Sequence, residues 1–120
     1  GNPLASSVCH AALKVIIDEK LSENSYLLGK RFRKSLNSYV DKSSIVLKIR
    51  GTGLLNAIEI DNSSDKEIAW KICLELKNNG LLAKPTHGNI IRFAPPLVIT
   101  EKQLDQCVGI IIHTLETFEP

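Results

Sequence analysis

The sequence predicts an α+β domain in which a small, mainly antiparallel sheet carries helices on one face. Two observations carry this reading. Apolar residues recur at helical spacing along 4–36, 68–76 and 104–115. Between these stretches, at 45–60 and 81–94, they form short runs bounded by glycine or proline, as strands do. The resulting order is helix, helix, strand, strand, helix, strand, strand, helix. The links within each strand pair are too short for parallel crossovers, so both pairs read as antiparallel.

The first helix opens at Asn2-Pro3. Asn is a good N-cap, and Pro at the first helical position has no amide hydrogen left unpaired. Leu4, Val8, Ala11, Ala12, Val15 and Ile16 follow at helical spacing, to about Glu19. Ser22 is the expected cap of a second helix, with Leu28, Phe32 and Leu36 on its buried face. The basic run Lys30, Arg31, Arg33 and Lys34 then reads as a solvated face. Ile45, Leu47 and Ile49 alternate with Val46, Lys48 and Arg50, the period of a strand with one buried face. Gly51-Thr52-Gly53 supplies a tight hairpin into a second strand, Leu54 to Ile60. A phosphate-cradling role for these glycines would need a helix to follow, and a strand follows instead.

Ser64-Asp65-Lys66-Glu67 has the spacing of a capping box before a third helix that buries Ile68, Ile72, Cys73 and Leu76. Gly80 suits the left-handed position after its last turn. Leu81-Leu82-Ala83 reads as a short strand, Lys84 to Asn89 as a loop, and Ile90 to Ala94 as a strand stopped by Pro95-Pro96. Thr100-Glu101-Lys102-Gln103 is a second capping box, before a terminal helix with Leu104, Val108, Ile111, Ile112 and Leu115 on its apolar side.

Fifteen basic against 13 acidic residues leave a net charge of only +2, too small to imply nucleic acid or an anionic membrane as partner. Cys9, Cys73 and Cys107 are odd in number and widely spaced. They read as buried, reduced thiols of an intracellular protein rather than a disulfide framework or a zinc site. The chain begins Gly1-Asn2-Pro3 and contains no Met, so it reads as a piece whose own start lies upstream.

No complete catalytic set is visible. His10, His87 and His113 are scattered, and no metal-ligand spacing occurs. One residue is out of place: Arg92, in Ile90-Ile91-Arg92-Phe93-Ala94. A guanidinium among apolar residues is costly unless an anion meets it, and its planar fork fits a carboxylate. Two readings stay open from the residues alone, an internal ion pair with an Asp or Glu and recognition of a substrate carboxylate. Lys84, in the preceding loop, has nothing around it in sequence that would desolvate it for Schiff-base chemistry, and reads as an exposed lysine.

Four segments together carry a family resemblance: Gly1-Asn2-Pro3-Leu4-Ala5, Arg50-Gly51-Thr52-Gly53-Leu54-Leu55, Gly80-Leu81-Leu82-Ala83-Lys84-Pro85-Thr86-His87-Gly88, and Ile91-Arg92-Phe93-Ala94-Pro95-Pro96-Leu97. In this order they resemble the C-terminal small domain of the class-III, fold-type-I pyridoxal-phosphate aminotransferases, and within that class the branch acting on ornithine. The resemblance implies residues 1–120 as a small domain packed on a larger cofactor domain in a homodimer, with ornithine and 2-oxoglutarate as small-molecule substrates. It implies that Arg92 grips a substrate carboxylate and can also pair with a glutamate of the large domain. It places the Schiff-base lysine and the other holders of pyridoxal 5'-phosphate upstream, so that this chain has no catalytic, cofactor-binding or metal-binding residue of its own. It also implies an intracellular enzyme, of the mitochondrial matrix or cytoplasm. The competing reading is a free-standing α+β module that binds an amino-acid carboxylate through Arg92.

Overall fold

Residues 1–120 are described by a computed structural model. The elements are α1 (Pro3–Asp18), α2 (Leu21–Val40), β1 (Val46–Thr52), β2 (Leu55–Ile60), α3 (Ile68–Asn78), β3 (Lys84–Thr86), β4 (Ile90–Phe93) and α4 (Glu101–Glu116). The four strands form one antiparallel sheet in the order β1-β2-β4-β3. The α2, α3 and α4 helices pack together on one face of it. This is the α+β architecture that the periodicities predict.

The helix-covered face holds the core. Leu28, Phe32 and Leu36 of α2 meet Ile58 and Ile60 of β2, Ile91 and Phe93 of β4, Ile72 and Leu76 of α3, and Leu104, Ile111 and Leu115 of α4 in one cluster. Successive strand residues point to opposite faces, so Ala57, Glu59 and Arg92 lie on the side that no helix covers.

Several local expectations hold for the expected reason. Asn2 caps α1 by accepting from the amides of Leu4 and Ala5. Thr100 and Gln103 form a full capping box on α4. Gly80, at φ +87°, closes α3: its amide bonds the Lys77 carbonyl while the Leu81 amide bonds the Leu76 carbonyl.

Others are corrected by tertiary structure. Ser22 does not cap α2. The chain turns from α1 through Lys20 in a left-handed conformation, φ 52°, and α2 begins at Leu21 without a side-chain cap. The Ser64 box does not form either. Asp65 accepts from the Glu67 amide and from Lys71 instead, and α3 starts at Ile68. The alternation in β1 breaks at an irregularity between Val46 and Lys48, so Ile45 and Val46 are both buried and Leu47 is exposed. β1 also runs on through Thr52, and the hairpin turn is Gly53-Leu54, since Thr52 pairs with Leu55. Finally, the strand expected at 81–83 sits three residues later, at Lys84–Thr86. A three-residue turn, with His87 and Gly88 both at positive φ, joins it to β4.

The basic run of α2 is not merely solvated. Arg31 makes a two-bond fork to Asp105 of α4, at 2.8 and 2.7 Å, and an ion pair to Glu101. Arg33 donates to the Gly53 carbonyl and to Oδ1 of buried Asn56, pinning the hairpin to α2. That contact is tight: a Cβ on Gly29 would stand 1.8 Å from the Gly53 oxygen, so α2 approaches the turn only because Gly29 has no side chain. At the C-terminal end, Glu119 accepts from Tyr39, from the Ser43 and Ser44 hydroxyls and from the Ser44 amide. Burial pulls the Glu119 carboxyl up, but these donors outweigh it and hold it at about 2. Burial and the Glu119 contact push Tyr39 up to about 12.

α1 stands apart. It packs only against α2 and buries no residue. Leu4, Val8, Leu13, Val15 and Ile17 are all exposed, Leu4 by 73%. Exposed apolar side chains are thus gathered on this helix. Cys9 shares its exposure, against the expectation of a buried thiol, while Cys73 is buried and Cys107 half-buried. Burial raises the thiols of both, Cys73 to about 11.

Candidate functional site

The open face of the sheet is charged. Residues paired across an antiparallel sheet point to the same side. Arg50 pairs with Ala57, Ala57 with Arg92, and Arg92 with Lys84. One row across all four strands thus reads Arg50, Ala57, Arg92, Lys84. The next row on the same face holds Lys48, Glu59, Ile90 and Thr86. Ile91 and Phe93, on either side of Arg92, point into the core and fix its backbone.

Arg92 is exposed rather than enclosed by the apolar residues around it in sequence. Its neighbours along the strand face the helices, so the guanidinium leaves the core without a desolvation cost. The internal ion pair left open from sequence is not formed. The chain's ion pairs join Arg31 to Glu101 and Asp105, Arg50 to Glu59, and Lys71 to Asp65, and none involves Arg92 or Lys84.

The other residues singled out in the sequence do not converge on this row. His10 and His113 lie on α1 and α4, and His87 forms the β3–β4 turn; all three are exposed. A groove of about 760 Å³ lies between the α3–β3 link, Pro95-Pro96 and α4. Leu82, Pro95, Val98 and Ile110 are among its walls, no charged side chain lines it, and Arg92 is not part of it. Sequence reading missed Lys84 as a member of the Arg92 row because it placed the strand at 81–83. The period-two spacing of Lys84 and Thr86 against Pro85 was the available signal.

An antiparallel sheet backed by helices, with an arginine on the bare face just before a double proline, is consistent with an aminotransferase chain. Comparison with known proteins bears out the class: the class-III aminotransferase family matches residues 1–115, and the chain belongs to that family. Among curated relatives, an ornithine aminotransferase of Schizosaccharomyces pombe is 52% identical over 116 residues, 96% of this chain and 26% of that protein. The mitochondrial ornithine aminotransferase of Drosophila melanogaster is 51% identical over 115 residues, with the same coverage. The crystal structure of an acetylornithine aminotransferase from Elizabethkingia anophelis superposes with a TM-score of 0.92 at 57% identity, over 98% of this chain and 30% of that one. The chain thus spans about a quarter of the length of the curated relatives it matches.

Class-III aminotransferases use pyridoxal phosphate. Every lysine of the chain is exposed. No helix is long and apolar enough to cross a membrane.

Proposed function

We propose that these 120 residues are the C-terminal small domain of a pyridoxal-phosphate-dependent ornithine aminotransferase. The full-length enzyme would pass the δ-amino group of ornithine to 2-oxoglutarate, giving glutamate semialdehyde and glutamate. It would work as a homodimer, in the mitochondrial matrix or the cytoplasm. The cofactor, held by the larger domain, supplies the amino-group carrier. The exposed apolar residues of α1 support a further body of protein packing on this one.

The observation that carries the reading is Arg92: a guanidinium set on the bare face of a stiff sheet, with no anion of its own chain. Its fork suits one carboxylate of 2-oxoglutarate or glutamate, and in the intervals between substrates a glutamate of the large domain.

The test is Arg92→Lys in the full-length enzyme, read in single turnovers of the two half-reactions. Losing the two-bond fork removes about 1.5–3 kcal/mol. That corresponds to about a tenfold to hundredfold fall in kcat/KM for 2-oxoglutarate, with a smaller fall for ornithine, whose δ-amino end has no carboxylate. Equal losses in both halves together with a lowered Tm would make Arg92 a structural ion pair instead.

A second reading rests on the 57% identity to the acetylornithine enzyme, in which the donor would be N-acetylornithine. Comparing kcat/KM for ornithine and N-acetylornithine decides between them.

A further inference from the structure

The Arg92 row holds a second cation that the reading above leaves unused. Lys84 pairs directly with Arg92, and both side chains emerge on the uncovered face. Like charges directly opposite each other destabilise a sheet, so this pairing calls for an anion. The rest of the face does not supply one. Glu59 is its single acid, and Arg50 engages it at 3.8 Å on the far side of Ala57. Ala57, between Arg50 and Arg92, is too short to fill the space above it. At the β1 side Lys48 and Arg50 share this one carboxylate, and Arg92 and Lys84 have no acid of this chain beside them.

The backbone under Lys84 is also restrained. Pro85 follows it with a fixed φ, and the tight His87-Gly88 turn holds β3 against β4. Neighbouring strands lie roughly 4.8 Å apart, and lysine adds a flexible four-carbon stem. An anion on the Arg92 fork thus lies within reach of the Lys84 ammonium. So does a second carboxylate a few bonds further along the same molecule.

We propose that Lys84 and Arg92 form a two-cation seat, and that Lys84 is a specificity-determining residue favouring a dianionic 2-oxo acid over a monoanionic one. This rests on the proposed transaminase reading and on Arg92 as its carboxylate holder. Arg92 supplies the geometric fork. Lys84 supplies a second charge that a dicarboxylate uses and a monocarboxylate does not.

The test uses the full-length enzyme and the variants Lys84→Met, which keeps the stem and drops the charge, and Lys84→Arg, which keeps the charge. The readout is the ratio of kcat/KM for 2-oxoglutarate to kcat/KM for pyruvate, at low and high salt. The expected result is a fall of about tenfold in this ratio for Lys84→Met, equivalent to one charge-assisted contact. The fall should shrink as salt rises, and Lys84→Arg should restore most of the ratio. Equal losses for both acceptors, or an unchanged ratio, would overturn the inference and leave Lys84 as a structural or interface lysine. The two layers separate cleanly: if Arg92→Lys impairs 2-oxoglutarate while Lys84→Met leaves the ratio intact, only the Lys84 role falls. If Arg92→Lys is without selective effect, the carboxylate reading itself falls.

Discussion

The two faces of this sheet are written by the same strands in alternate residues, yet they obey different physics. The closed face presents Ile58, Ile60, Ile91 and Phe93 to three helices, and its residues are 6% exposed or less. The open face, one residue out of step, presents Arg50, Glu59, Arg92 and Lys84 to whatever lies beyond. Burial of apolar surface sets the first and holds the backbone rigid. The second contributes little to that rigidity and borrows it, so a flexible cation such as Arg92 starts from a fixed root. Stability and recognition are thus separated by a single pleat.

That separation can be broken at graded cost. Ile58→Ala removes a side chain that is 1% exposed at the centre of the closed face. Chemical denaturation should show a loss of about 2–5 kcal/mol. Arg33→Met tests the one polar intrusion on that face, Asn56, which is 2% exposed and bonded by Arg33 at 2.6 Å. Without the guanidinium the amide oxygen is left unpaired, and a loss of about 1–3 kcal/mol is expected in the same measurement.

Glu119→Gln acts where β1 enters the sheet. The folded carboxyl titrates at about 2 against an ordinary 4.5, so the unfolded chain takes up the proton first. Its contribution is complete above pH 4.5 and is lost as pH falls toward 2. Hydrogen exchange at Ser44 should therefore lose protection across that window in the native sequence, and the Gln variant should flatten the dependence. The smallest effect belongs to the open face: Glu59→Gln should move stability by no more than about 0.5 kcal/mol. A loss comparable to that of Ile58→Ala would mean that the open face also carries stability.

The closed face was legible in the sequence because it follows from periodicity. Leu28, Phe32, Leu36, Ile72, Leu76, Leu104 and Leu115 were assigned inward from spacing alone, and all are buried. Arg92 was legible as an anomaly for the same reason, a charge interrupting an apolar run. The parts that were not legible depend on residues far apart in the chain. Glu119 meets Ser43 across 76 positions and Arg31 meets Asp105 across 74, and no local pattern announces either. Ser22 and Ser64 carry sound capping chemistry, yet packing displaced both helix starts. The apolar spacing of α1 was read correctly as helix, but amphipathic spacing does not say whether the covering partner lies within the same 120 residues.

One consequence follows from the two margins of the sheet. β3 is three residues long and contains Pro85, which has no amide hydrogen to offer an added strand. β1, the opposite margin, is kinked between Val46 and Lys48 and bears Lys48 and Arg50. Neither margin is a good template for strand addition, so the domain is protected from edge-to-edge polymerisation even while the apolar residues of α1 are bare. Any stable association it forms must come through side chains, by helix surface or charged sheet face, where complementarity can be selective, rather than through the backbone, which would accept any extended chain.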